Sequence, residues 1–189
     1  MRRTKEEARQ TRENILKAAA TIIARSGIGA FTIEAVAQEA GVTKGGVLHH
    51  FPSREALLNG LIDHVIEAFN IRLQKELSTE PAGQPGRWLR AYIRAVFSVQ
   101  YDVQYLIPAL AAAVAADHRL LERIRRRFEE SQQAVVRDGI DPVQATIVRL
   151  AVDGIVFARS LNVDVLDEET SRKVYNELFS LTSSTRISP

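Results

Sequence analysis

Apolar residues recur along this chain at helical rather than strand spacing. Ile15, Ala19 and Ile22, with Leu16, Ala20 and Ile23 beside them, share one face of a helix predicted over 5–26. Thr4 and Glu7 form a capping-box pattern at its start, each side chain able to satisfy the other's backbone N–H. Gly27 and Gly29 end it. A second helix opens at Thr32, a side chain suited to an N-cap. It places Ile33, Val36, Ala37 and Ala40 at i, i+3, i+4 and i+7, and Gly41 stops it. A third, short helix runs from the cap Thr43 to His50, because Phe51 precedes Pro52 and is biased away from helical dihedrals. Ser53 caps a fourth, predicted to residue 77, with Leu58, Leu61, Ile62, Val65 and Phe69 on one face.

Residues 78–86 hold the one stretch with linker chemistry, Pro81, Gly83, Pro85 and Gly86 among them. It is too short to separate domains and reads as the loop between the fourth and fifth helices. Further helices are predicted at 87–99, 103–116, 118–137, 142–161 and 168–181, the fourth of these opened by Asp141-Pro142. No strand pattern and no internal repeat occurs. The expected fold is all-α, with about nine helices.

The second and third helices meet the requirements of a helix-turn-helix. Two helices crossing steeply need a small side chain where they touch, which Ala37 supplies. The tight turn needs a residue that accepts positive φ, and Gly41 sits four residues later. The inner face of the second helix needs an apolar anchor, and Val47 sits ten residues after Ala37, with Phe51 a turn beyond.

Charge strengthens this reading once it is counted by segment. The whole chain carries 25 Lys/Arg and 23 Asp/Glu, a net charge of +2. Residues 1–54 alone hold nine basic and five acidic side chains, leaving +4 there and −2 on the remainder. A basic first quarter on an acidic body is the footprint of a segment that meets phosphate.

Taken with this charge, the stretch from Thr32 to Leu57, TIEAVAQEAGVTKGGVLHHFPSREAL, resembles the TetR/AcrR family of bacterial transcriptional regulators. The resemblance implies a DNA-binding domain over 1–53 and a ligand-binding and dimerisation domain over 54–189. It also implies that Thr43, Lys44, Gly45 and Gly46 open a recognition helix that enters the major groove, with His49 on its outward face. By the same token Thr32, His50 and Arg54 reach phosphates from helix ends. Helix N-termini offer free N–H groups to phosphate. Lys44 can read guanine O6 and N7, His49 can bond a base edge, and DNA shape supplies the rest of the specificity. Where most members carry a tyrosine, this chain has Leu48, so a phosphate-contacting hydroxyl is missing.

Other readings of these residues remain. Gly45-Gly46 also fits a loop, since glycine inside a helix costs about 1 kcal/mol relative to Ala. Adjacent His49 and His50 point about 100° apart on a helix and cannot chelate one ion well; no metal site is expected. Arg123, Arg125, Arg126 and Arg127 read as a solvated face balanced by Glu122, Glu129 and Glu130.

The helix from Pro142 is apolar on every side and must therefore be covered on every side. A homodimer is expected through Val148, Val152, Val156 and Leu161 of this helix with Val174, Leu178 and Leu181 of the last one. Such a dimer requires double-stranded DNA with a near-palindromic operator, its half-sites roughly 34–36 Å apart or a multiple of that. Trp88, Tyr92, Phe97, Tyr101, Tyr105 and Phe128, beside the Ala-rich run 109–116, suit an effector pocket for an apolar or cationic small molecule. Asp153 lies inside the most apolar helix and needs a partner. It pairs with an Arg of the body or across the dimer, or else it anchors a ligand.

Several classes are excluded. With no cysteine there is no disulfide framework and no thiolate chemistry. The longest apolar run, Leu106 to Ala116, is too short to span a bilayer and contains Pro108. The charged N-terminus does not read as a signal peptide, and a cytoplasmic location is expected. No nucleophile–base pairing, phosphate loop or metal spacing marks an enzyme, and no cofactor is expected. The function expected is a dimeric repressor released from its operator by a small molecule. The alternative is a DNA-associated regulator that has no such effector and acts through a protein partner.

Overall fold

The computed structural model describes residues 5–97, 118–160, 163 and 165–183. Among these are eight α-helices and no strand: α1 (Lys5–Ser26), α2 (Ile33–Glu39), α3 (Lys44–His50), α4 (Arg54–Thr79), α5 (Arg87–Phe97), α6 (His118–Val136), α7 (Pro142–Ser160) and α8 (Glu168–Ser180). Short 3-10 turns follow α1 and α8, at Ile28–Ala30 and Leu181–Ser183. The fold class is all-α, as the periodicity requires. The helix expected over 103–116 and the capping role of Thr4 lie outside the described residues.

Capping explains where the helices start. The Thr32 hydroxyl accepts from the Ala35 N–H at 3.1 Å, Thr43 from Gly46 at 3.0 Å and Ser53 from Ala56 at 3.0 Å. The Asp141 carboxylate accepts from Gln144 at 2.8 Å, ahead of Pro142. Each bond satisfies an N–H that the helix leaves without an internal partner. At the other end of α2, Gly41 takes φ 65°. Its N–H reaches the Gln38 carbonyl while Val42 reaches Ala37, which is the paired pattern that ends a helix in a left-handed residue.

Two compact units result, one from residues 5–67 with 118–120, the other from 68–97 with 121–183. The core of the first joins Ile15, Leu16, Ala19, Ile22 and Ile23 of α1 to Val36 and Ala37 of α2 and Val47 of α3. Phe51 and Leu57, Leu58, Leu61 and Ile62 from the start of α4 complete it. Ala37 is small where α2 is buried, and Val47 is fully buried beneath α3.

The second unit is built around α5, where Leu89, Ala91, Tyr92, Ile93, Ala95 and Val96 are all buried. Asp138 holds its N-terminus, accepting from the N–H groups of Trp88 (2.7 Å) and Leu89 (2.8 Å). Burial raises the Asp138 carboxyl above its ordinary value, and these two N–H bonds oppose the shift. Just past α4, Glu80 takes the guanidinium of Arg90 at 2.8 Å and also that of Arg94. Burial alone would raise the Glu80 carboxyl, but the two arginines outweigh it and hold it below 4.5. This joint therefore contributes stability above about that pH and loses it as the pH falls through the depressed value.

Candidate nucleic-acid interface and effector pocket

The third helix presents two unlike faces. Val47 is fully buried on one side, while Lys44, Gly45, Leu48 and His49 are exposed together on the other. These four positions are one turn apart in pairs and form a single outward surface. Gly46 and His50 are half-buried at its margin. The two glycines differ in their surroundings. A Cβ on Gly45 would meet only the Thr43 hydroxyl, 3.9 Å away, so this glycine keeps the outward face flat. A Cβ on Gly46 would lie 3.3 Å from that hydroxyl and 3.7 Å from Val42 Cβ, so Gly46 serves the turn instead.

Thr32 and Thr43 are exposed at the starts of α2 and α3. Each uses an oxygen lone pair as a cap and keeps its hydroxyl proton to donate to an acceptor. Lys44 forms an ion pair with Glu34 of α2, both side chains well exposed, and this partner holds the Glu34 carboxyl below its ordinary range. No sequence pattern marked that pairing.

Arg54, exposed at the start of α4, is also tied to backbone of its own unit. Its Nε donates to the Phe31 carbonyl at 2.8 Å and its Nη2 to the Ile28 carbonyl at 3.2 Å, with the guanidinium 5.2 Å from the Phe31 ring centroid. It braces the link between α1 and α2 against the start of α4. Arg54→Ala is therefore expected to lower stability by about 1–2 kcal/mol. Urea denaturation would measure this. A phosphate contact alone would instead leave stability untouched and flatten the salt dependence of binding.

In the second unit the aromatic residues expected to line a pocket separate. Trp88 stacks on Tyr92 with ring centroids 4.9 Å apart, and Phe69 meets Tyr92 edge-on at 5.7 Å. Phe97 contacts Tyr175 rather than this group. Phe128 is 52% exposed on α6. Tyr101 and Tyr105 lie outside the described residues. Arg127, one position before Phe128, places its guanidinium 5.3 Å from the Phe69 centroid. Among the described residues its Nη2 is buried without a hydrogen-bond partner.

Asp153 finds its cation within its own helix. Arg149 Nη1 lies 2.5 Å from its Oδ2, and the Tyr92 hydroxyl donates to Oδ1. Arg149 Nε in turn donates to Gln132 at 3.0 Å, and Gln132 donates to Thr146 at 2.8 Å. Burial raises the Asp153 carboxyl, opposed by Tyr92 and Arg149, while burial and the Asp153 charge keep the Tyr92 phenol protonated. Asp153→Ala is expected to cost about 2–3 kcal/mol in urea denaturation, because it leaves the buried Arg149 charge with the neutral Gln132 in place of a carboxylate. An Asp153→Leu, Arg149→Met pair should recover most of that loss.

Three of the residues expected at a dimer interface need correction, being covered within the protomer itself. Val148 and Val152 are fully buried in the protomer's own core, and Leu178 joins them there. Val156, Val174 and Leu181 pack partly against the same core, and Leu161 lies outside the described residues. The exposed apolar face of α7 is instead Val143, Ile147, Leu150 and Phe157, with Gly154 between the last two. Steps of four and three along this stripe are those of a helix–helix seam, and they were already present in the sequence. Among the described residues no helix is long and apolar enough to cross a membrane, and no group of three or more His, Asp or Glu could hold a metal ion.

Comparison with known proteins bears on both units. Residues 15–61 match the model for bacterial regulatory proteins of the tetR family, and residues 86–183 match that for the tetracyclin repressor-like C-terminal domain. The HTH-type transcriptional regulator TtgR of Pseudomonas putida is 39% identical over 67 residues, 35% of this chain and 32% of that protein. The HTH-type transcriptional regulator AcrR of Shigella flexneri is 31% identical over 90 residues, 47% of this chain and 41% of that one. The stretch shared with the first of these curated relatives thus spans about a third of its length. Solved structures extend the likeness of fold over nearly the whole chain. A transcriptional regulator from Rhodococcus sp. Rha1 has a TM-score of 0.72 at 20% identity, covering 90% of this chain and 95% of its own. The multidrug binding protein EbrR, complexed with malachite green, has a TM-score of 0.64 at 21% identity, covering 90% and 97%. With one family model on the helix-turn-helix unit and another across more than half of the chain, this protein belongs to the tetR family of bacterial regulatory proteins.

Proposed function

We propose that this protein is a homodimeric transcriptional repressor that binds a near-palindromic operator through α3 and leaves it when a small molecule binds the second unit. The observation that carries the DNA-binding part is the outward face of α3. Lys44, Gly45, Leu48 and His49 stand clear of the core there, while Thr32 and Thr43 offer hydroxyls from two helix starts. Hydroxyls and helix N-termini position such a reader on phosphate, and the outward side chains specify bases. Arg54 contributes by holding this unit together.

Dimerisation is assigned to the exposed stripe on α7. On this reading a two-fold dimer presents two copies of α3 to successive major grooves. For the effector, Phe69, Trp88 and Tyr92 supply an aromatic wall. Asp153 is already satisfied by Arg149 and Tyr92, which removes it as an anchor for a cationic molecule. The buried Arg127 Nη2, without a hydrogen-bond partner among the described residues, favours a planar effector that carries a hydrogen-bond acceptor or a negative charge. Helix α4 starts in one unit and ends in the other, which gives the effector a covalent route to the DNA-binding residues. Couplings of this kind are about 1–3 kcal/mol, or roughly 5–150-fold in operator affinity.

Selection of binding sites from random DNA by the full chain, followed by footprinting and gel-shift titration, tests this reading. A near-palindromic site is expected. Absence of any sequence preference at about 150 mM salt would overturn it, since non-specific phosphate binding alone weakens steeply with salt.

A further inference from the structure

Leu48 stands outside the core of the first unit. Among its described residues Leu48 is the one large hydrophobic side chain that is exposed, at 36%, whereas those of α1, α2 and the start of α4 are packed into the core. Exposed leucines scattered over a surface need no explanation. This one sits on the outward face of α3, a turn beyond Lys44 and between Gly45 and His49. That face otherwise carries only polar side chains and a glycine. Resting on the DNA-binding reading above, we infer that Leu48 reads the 5-methyl group of a thymine in each half-site.

The chemistry leaves little choice of target. A leucine side chain neither donates nor accepts a hydrogen bond, so it cannot recognise guanine O6 and N7, adenine N6 and N7, or a phosphate oxygen. The apolar group that a base edge displays in the major groove is the thymine methyl. Burying a methyl against a methyl removes apolar surface of both partners from water. The flat, open position at Gly45, one residue past Lys44, lets the helix approach closely enough for a short side chain to arrive. Neither Lys44 nor His49 can supply this discrimination, because each recognises bases through polar atoms. An operator read by this helix therefore needs a thymine at a fixed position, selected by packing.

Deoxyuridine differs from thymidine only by the missing methyl and keeps base pairing and all polar groups. The experiment takes the operator selected by the full chain and replaces each thymine in turn by deoxyuridine, at matching positions in both half-sites. Affinities are measured by fluorescence anisotropy at about 150 mM salt for the wild type, Leu48→Ala and Leu48→Met. At one thymine position the wild type is expected to lose about fourfold per half-site, the worth of one buried methyl group. Leu48→Ala should bind thymine and uracil operators equally there while keeping its dependence on every other position. Leu48→Met should retain the thymine preference. Because Leu48 is exposed, the melting temperatures of all three should agree, and that measurement separates misfolding from lost recognition. Two outcomes overturn the assignment: a wild type indifferent to every deoxyuridine, or a penalty that persists unchanged in Leu48→Ala. If the full chain selects no operator at all, the DNA-binding reading fails and this assignment falls with it.

Discussion

Gly86→Ala is expected to destabilise the second unit by about 3–5 kcal/mol, a large part of the stability of an ordinary domain. Gly86 has φ 74°, in the left-handed region that a side chain disfavours by about 1–2 kcal/mol. The greater effect is steric. A Cβ at this position would land on the carbonyl oxygen of Thr182, which is backbone and cannot swing aside as a side chain could. Nor can Gly86 retreat. Its N–H donates to the Asp138 carbonyl at 2.7 Å, and its own carbonyl accepts from Arg90 at 2.9 Å, so any shift breaks the start of α5. Gly83 provides the control, with φ 77° and nothing within 4 Å of the would-be Cβ. Gly83→Ala should therefore lose only the dihedral term, about 1 kcal/mol. Urea unfolding of both variants isolates the clash. Equal losses would show that Thr182 does not press on Gly86.

If the chain dimerises as proposed, Ile147→Glu is expected to yield a well-folded monomer and to weaken operator binding roughly 10²–10⁴-fold as bivalent engagement is lost. Ile147 is 60% exposed in the protomer, so the charge leaves the core intact and acts only on a surface that must otherwise be covered. Val148→Glu, one residue on, should behave in the opposite manner. Val148 is fully buried in the second core, and a carboxylate there has no partner, so that variant should unfold. Sedimentation velocity with thermal melts distinguishes the two. A stable monomer from Val148→Glu and an intact dimer from Ile147→Glu would reverse the assignment of faces.

That contrast marks how far the sequence could be read. Both apolar faces of α7 are visible in the sequence, and the need for two coverings follows from them. Which face meets the chain's own core does not follow, because Val148 and Ile147 are equally apolar and only the packing of α5 against α7 separates them. Asp153 shows the same limit. Its need for a partner was legible from its surroundings, and Arg149 lay four residues before it, at a helical spacing that allows an ion pair. Nothing in that spacing chose Arg149 over another arginine of the body or one across a dimer.

The turn and cap chemistry, by contrast, was determined locally. Thr32, Thr43, Ser53 and Asp141 cap because an oxygen two or three residues ahead of an unsatisfied N–H needs nothing from the rest of the fold. Ala37, Gly41 and Val47 define the helix-turn-helix for the same reason, their spacing being the geometry of one short segment. The sequence by itself therefore determined the described helices, the starts capped by these residues and the helix-turn-helix. Only the tertiary structure joined Arg54 to the Phe31 and Ile28 carbonyls, paired Lys44 with Glu34, brought Asp138 to the start of α5 and chose the face of α7 left open. Those contacts join residues far apart in the chain, and residue spacing within one helix carries no information about which distant group will meet it.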